Sequence, residues 1–278
     1  MGASEMKRIM VMFVLAGLVL ALAVPAGASS DRAMWVWDGP VEGVSDFASA
    51  HGVTDVYVSA PPGFSRDARY ASFIDDARTR GLRVWAVAGD TSWAQSPNAW
   101  VGWTDEVVSF GLFDGIVADV EPYLLSDWSN TRKRSRLISS YLKNLAAAQQ
   151  AAGSTEMLVA VPFWWDAAEY QTKGQTLVER VLAAADGVVV MAYRDHADGV
   201  DGIIDLAGFE VGRGSQMSKR VVVGVETGPA SSDKVTFWEE GAGAMAAELT
   251  KVEATFAGDT GYGGVAIHHY GSYSALAP

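Results

Sequence analysis

The 278-residue chain has no cysteine. That excludes a disulfide framework, thiolate-ligated zinc, iron–sulfur clusters and thiol catalysis. Cationic residues are scarce: 21 Lys and Arg stand against 33 Asp and Glu, for a formal net charge of −12. A nucleic-acid groove, which needs clustered Lys and Arg, is therefore not expected. Thr131-Arg132-Lys133-Arg134-Ser135-Arg136 is the one strong basic run, and at the start of a helical pattern it reads as a solvated face. There is no Walker loop, nucleophile elbow or HExxH pair, so no cofactor is called for. His268 and His269 are adjacent, and neighbouring strand residues point to opposite faces, so they are not expected to share a metal ion.

Only one stretch is apolar enough to suggest a membrane, and it lies at the N-terminus. Lys7 and Arg8 precede the run Ile9 to Val24, followed by Pro25-Ala26-Gly27-Ala28. A charged start, an apolar middle and small residues at the −3 and −1 positions describe an export signal over residues 1–28, cleaved near Ala28. The run is slightly short for a span. The removed segment carries Glu5, Lys7 and Arg8, a net +1, which leaves the mature chain near −13. The expectation is a secreted, freely soluble, monomeric protein with no membrane contact after cleavage.

The remainder, 29–278, repeats one unit within a single domain. Helical patterns alternate with β-branched runs at Met34–Asp38, Thr54–Ala60, Leu82–Asp90, Phe113–Glu121, Met157–Trp165, Val188–Asp195, Arg220–Glu226 and Gly263–Tyr270. Near-continuous apolar runs suit parallel strands covered on both faces. Between them, Ile138, Tyr141, Leu142 and Leu145 share one helix face, as do Met245, Leu249, Val252 and Phe256. Gly52 and Gly81 sit where a helix C′ glycine belongs. Eight strands alternating with helices predict an α/β protein, a (β/α)8 TIM barrel. After Tyr270 too little chain remains for a full eighth helix, which is expected to be short or missing.

In such a barrel chemistry collects where the strands end. Those positions hold Asp38, Asp119, Glu121, Trp165, Tyr193, Asp195, Glu226, His268 and Tyr270, a ring of carboxylates and aromatics with few cations. Sugars offer apolar C–H faces that stack on aromatic rings and hydroxyls that bond to carboxylates, so this lining suits a neutral poly- or oligosaccharide. Trp35, Trp37 and Trp85 lie within strand patterns and read as core, while the polar, Trp-bearing loop Asp90–Trp103 is a candidate cleft wall. The fourth strand, Asp114-Gly115-Ile116-Val117-Ala118-Asp119-Val120-Glu121-Pro122, is the most informative segment. Period-two alternation puts Val117, Asp119 and Glu121 on one face. Two acids so placed hinder each other's ionisation and raise one pKa, as a proton donor to a glycosidic oxygen requires.

Asp114 to Glu121 resembles the D-G-x-x-x-D-x-E signature of glycoside hydrolase family 18, the chitinase-like barrels. Met191-Ala192-Tyr193 is similar to that family's M-x-Y, and Gly263-Gly264-Val265-Ala266-Ile267-His268 to its G-G-V-M-x-W. The resemblance implies Glu121 as general acid, Asp119 orienting a substrate acetamido nucleophile, and Tyr193 bonded to that group. The chain departs from the pattern at Val117, Arg194 and His268, where the family has Asp, Asp and Trp. Glu121-Pro122 and Glu226-Thr227-Gly228 also resemble the acid/base and nucleophile of the retaining clan A glycosidases, although Val120 takes the place of their Asn. That likeness implies Glu226 as nucleophile. Both make Glu121 the proton donor in a glycosidase acting on an extracellular or cell-wall polysaccharide, with Asp195, Asp38, Trp165, His268 and Tyr270 as further sugar contacts. A carbohydrate-binding barrel without turnover, or a structural or partner-binding barrel, also fits these residues.

Overall fold

The computed structural model describes residues 31–278. The expected export signal lies outside the described residues. Eight strands alternate with eight helices: β1 (Arg32–Val36), α1 (Val44–Ala50), β2 (Asp55–Ser59), α2 (Arg69–Thr79), β3 (Arg83–Ala88), α3 (Pro97–Phe110), β4 (Gly115–Ala118), α4 (Thr131–Ala152), β5 (Met157–Pro162), α5 (Leu177–Ala184), β6 (Gly187–Met191), α6 (Ile203–Met217), β7 (Arg220–Glu226), α7 (Gly241–Phe256), β8 (Tyr262–His268) and α8 (Tyr270–Tyr273). The strands pair in chain order into a closed parallel barrel. Closure is made by β8 against β1, with Ala33 opposite Ala266. Helix α8 has four residues, the short eighth helix expected from the length of chain after Tyr270.

All eight strand candidates are strands, but several end early. Strand β4 stops at Ala118, three residues before the expected Glu121. Asp119 still donates its N–H to Ala88 O at 3.0 Å, and then the chain turns at Pro122, which has no N–H to give. Strand β5 stops at Pro162 for the same reason, and Phe163–Asp166 form a 3-10 turn. The face predicted for α7 is buried at all four positions, and that of α4 at Ile138, Tyr141 and Leu145, with Leu142 half-buried. The basic run opens α4 with all its residues exposed except Arg134, which lies over the Tyr170 ring. The tryptophans of Asp90–Trp103 face no cleft: Trp93, Trp100 and Trp103 are buried and Trp93 packs on the other two, with Pro97 starting α3 within that stretch.

The core has two shells, as the alternation of strand side chains requires. One lies between strands and helices. The other fills the barrel axis, where Trp35, Tyr57 and Trp85 stack edge to face at 5.3 and 5.9 Å. Each such ring removes about 150–250 Å² from water, a gross gain of roughly 4–6 kcal/mol. Trp85 fits because its neighbour in the register is Gly115, where a Cβ would come within 2.2 Å of the indole. Below these rings the barrel floor is ionic. Arg83 bridges Asp31 and the fully buried Asp55 at 2.5 and 2.8 Å, and Trp85 Nε1 donates to Asp55 at 2.7 Å.

Glu210 on α6 breaks this pattern of paired charges. It is fully buried and neither carboxylate oxygen has a partner. Burial first, and then the charge of Asp166, hold its carboxyl well above the usual glutamate range. An acid that binds its proton more tightly folded than unfolded contributes stability at low pH, lost as pH rises from the ordinary range through the raised value. Glu210→Gln is therefore expected to raise the melting temperature at pH 8, by about 2–4 °C per kcal/mol gained. The gain should vanish near about pH 4, where the unfolded-state carboxyl is also protonated, as thermal melts across that range will show.

Candidate active site

The inward row of β4 continues past the end of the strand. Val117 faces the barrel axis, and Asp119 and Glu121 follow at the same period to line a cavity of about 210 Å³. Its other walls are Trp35, Ala160, Met191, Tyr193 and His268, contributed from β1, β5, β6, the segment after β6, and β8. Four residues expected at the site are thus brought together: Asp119, Glu121, Tyr193 and His268. The backbone approach at this point is tight, since a Cβ on Gly89 would lie 1.7 Å from Asp119 O.

The two acids are not equivalent. Asp119 Oδ1 is shut off from water and has no hydrogen-bond partner. Burial, followed by the negative charge of Glu121, pushes the Asp119 carboxyl up to about 7. Of the two acids expected to have one raised pKa between them, the raised group is Asp119, the deeper of the two, and not the expected proton donor Glu121. Glu121 is half-buried and accepts a hydrogen bond from the Tyr123 hydroxyl. Burial and that bond hold the Tyr123 phenol above its usual range. Burial also holds Tyr193 well above it, reinforced by Glu226, Asp119 and Glu121, so at neutral pH Tyr193 offers the cavity a hydroxyl.

His268 has both ring nitrogens engaged. Trp37 Nε1 donates to its Nε2 at 2.7 Å, and its Nδ1 lies 2.7 Å from Glu226 Oε2. Glu226 Oε1 accepts from the backbone N–H groups of Thr227 and Gly228 at 2.8 and 2.6 Å. Burial would raise the Glu226 carboxyl, but the bond to His268 and the two amides outweigh it and hold the group below its usual range. The candidate nucleophile thus has partners on both oxygens. The register explains the contact, because Glu226 and His268 stand opposite one another on β7 and β8.

Other candidates lie elsewhere. Asp38 is exposed on a separate groove of about 420 Å³ that includes Trp37, Pro61 and Tyr70. Asp195 pairs with His196 at 2.5 Å. Tyr270 packs edge-on against Phe47 of α1, with ring centres 5.4 Å apart. Trp165 is fully buried among Trp128, Tyr141 and Trp164, so its ring has no face for a sugar; the 3-10 turn after Pro162 points it into the shell under α4. Sequence reasoning missed Trp35, which belongs to the core and also lines the cavity, and Tyr123, whose only signal was its place beyond Glu121-Pro122. It also missed the Trp37 indole as a donor to His268. Carboxyl-selective NMR should find one side chain titrating near pH 7, and Asp119→Asn should abolish that titration. Its persistence in the variant would assign the raised group elsewhere.

No protein-family model matches this chain, and no curated protein matches it in sequence. Solved structures do match in fold. A class V chitinase from Pseudomonas fluorescens superposes with a TM-score of 0.55 at 14% identity, covering 89% of this chain and 98% of that one. A family 18 chitinase from Cycas revoluta, solved with (GlcNAc)3, gives 0.50 at 12% identity over 86% and 94% of the two chains. The spore cortex-lytic enzyme of Bacillus cereus gives 0.54 at 10% identity over 88% and 71%. In fold, this chain is a (β/α)8 barrel like those of glycoside hydrolase family 18.

Proposed function

We propose that this chain is a secreted glycoside hydrolase acting on an extracellular or cell-wall polysaccharide, with Glu121 as general acid and base. The observation that carries this reading is the Asp119–Glu121 pair in the cavity at the end of β4, its buried member lifted to about 7. Near neutral pH Asp119 holds a proton, which removes a competing negative charge from beside Glu121. Glu121, beside the Tyr123 hydroxyl, gives a proton to the glycosidic oxygen as the bond to the anomeric carbon breaks. A nucleophile captures the carbon, and water then displaces it, returning a proton to Glu121. With both Glu226 oxygens engaged, the acetamido oxygen of an N-acetylated sugar fits the nucleophile's place better, and Tyr193 is the hydroxyl positioned to bond to it. The N-acetylglucosamine trimer bound by the Cycas revoluta chitinase supports that substrate class. The n-region, apolar run and small residues up to Ala28 support export.

A second reading, sugar binding without turnover, draws on Val117 and His268, which stand where the chitinase-like pattern has Asp and Trp. Reducing-sugar release from a panel of polysaccharides and N-acetylglucosamine oligomers separates the two. Glu121→Gln is expected to lower kcat by about 10²–10⁴-fold with little change in KM. A loss within about tenfold of wild type would remove Glu121 from the acid role. Because Asp119 loses its proton as pH rises through about 7, setting a second negative charge in the cavity, wild-type turnover should fall on that alkaline side, and Asp119→Asn should displace this limb. Binding with no turnover on any glycan would favour the second reading.

A further inference from the structure

The cavity contains two acids and no Lys or Arg, so His268 is the one lining residue that could bring a positive charge to it. Its surroundings decide whether it does. An indole N–H only donates, so the 2.7 Å contact from Trp37 makes His268 Nε2 an acceptor. The ring proton then sits on Nδ1 and is donated to Glu226 Oε2. A second proton on Nε2 would set two N–H groups against each other. Two backbone amides fix the Glu226 carboxylate from behind. The other groups facing the ring supply no cation. Tyr193 is 5.9 Å away between ring centres, Trp35 is 5.5 Å, and Asp119 acts on the ring from the end of β4. His269, 5.1 Å away, has its imidazole pushed below the usual range by burial.

We propose that Trp37 and Glu226 are positioning residues that lock His268 as the neutral Nδ1–H tautomer, and that the locked ring makes the cavity select an uncharged sugar over one bearing a carboxylate. The selectivity rests on the glycosidase reading; the lock does not. A carboxylate on the bound ring would meet Asp119, Glu121 and, behind His268, Glu226 with no counter-charge, and like charges so placed disfavour its binding. The same chain with His268 protonated would offer such a group an ion pair.

The chain has four histidines, so two-bond proton–nitrogen NMR can resolve each ring. At pH 7.5 wild-type His268 is expected to show a protonated Nδ1 and a bare Nε2; an imidazolium or Nε2–H pattern overturns the lock. In Glu226→Gln the amide oxygen keeps the two backbone donors, so its NH2 faces Nδ1 and the Nδ1–H signature should disappear. An unchanged signature overturns the role of Glu226. Selectivity is read by calorimetry on Glu121→Gln at pH 8, above the Asp119 value so that Asp119 and Glu226 carry their charges, with two probes, (GlcNAc)3 and a GlcNAc–MurNAc oligomer that adds one carboxylate per repeat. The parent should prefer the neutral probe by about tenfold or more, and Trp37→Phe, which keeps an aromatic ring but removes the donor, should lose most of that preference. Equal binding of both probes with the tautomer intact overturns the selectivity. If neither glycan binds, the glycosidase reading falls and the selectivity with it, while the spectra still judge the lock.

Discussion

Closing eight parallel strands edge to edge turns one residue in two toward a narrow common axis, and the rest of this molecule depends on how those inward positions are filled. At the N-terminal end they carry the Arg83–Asp55 pair, in which the buried Asp55 carboxylate is satisfied by the exposed Arg83 and by the Trp85 indole. In the middle they carry Trp35, Tyr57 and Trp85, made possible by the missing side chain at Gly115. At the C-terminal end the same rows supply Asp119, Glu121, Tyr193 and His268. The cavity is thus the uppermost layer of a core that has stopped being apolar. Trp35 belongs to both layers, packing on Tyr57 beneath and closing the cavity above.

The electrostatics follow from depth. Asp119 has an oxygen without water or partner and holds its proton to about 7, while Glu121, two residues further along, reaches the Tyr123 hydroxyl. Glu226 is drawn the other way by three donors. Three carboxylates near one cavity therefore have three different characters, set by hydrogen bonds and burial rather than by residue type. His268 links the groups, joined to β1 through Trp37 and to β7 through Glu226.

Much of this architecture could be read along the chain. The period-two row Val117, Asp119, Glu121 placed two acids on one face, and the structure keeps them there even though β4 ends at Ala118, because the alternation persists past the last ladder bond. The buried stripe of α7 and the C′ glycines Gly52 and Gly81, at φ +67 and +77°, were legible because helix periodicity and left-handed turns are local. Trp165 was not legible: a strand-end position looks open in a linear reading, and only the turn after Pro162 swings its ring into the shell.

Local rules alone therefore specify the eight repeats, their inward rows and the acid pair, since these follow from alternation and spacing within single segments. The depth of Asp119 comes from barrel closure, and the contact of His268 with Glu226 and the indole on His268 come from residues 42 and 231 positions apart being set side by side by the fold. Desolvation and hydrogen-bond pairing exist only once those strands have closed.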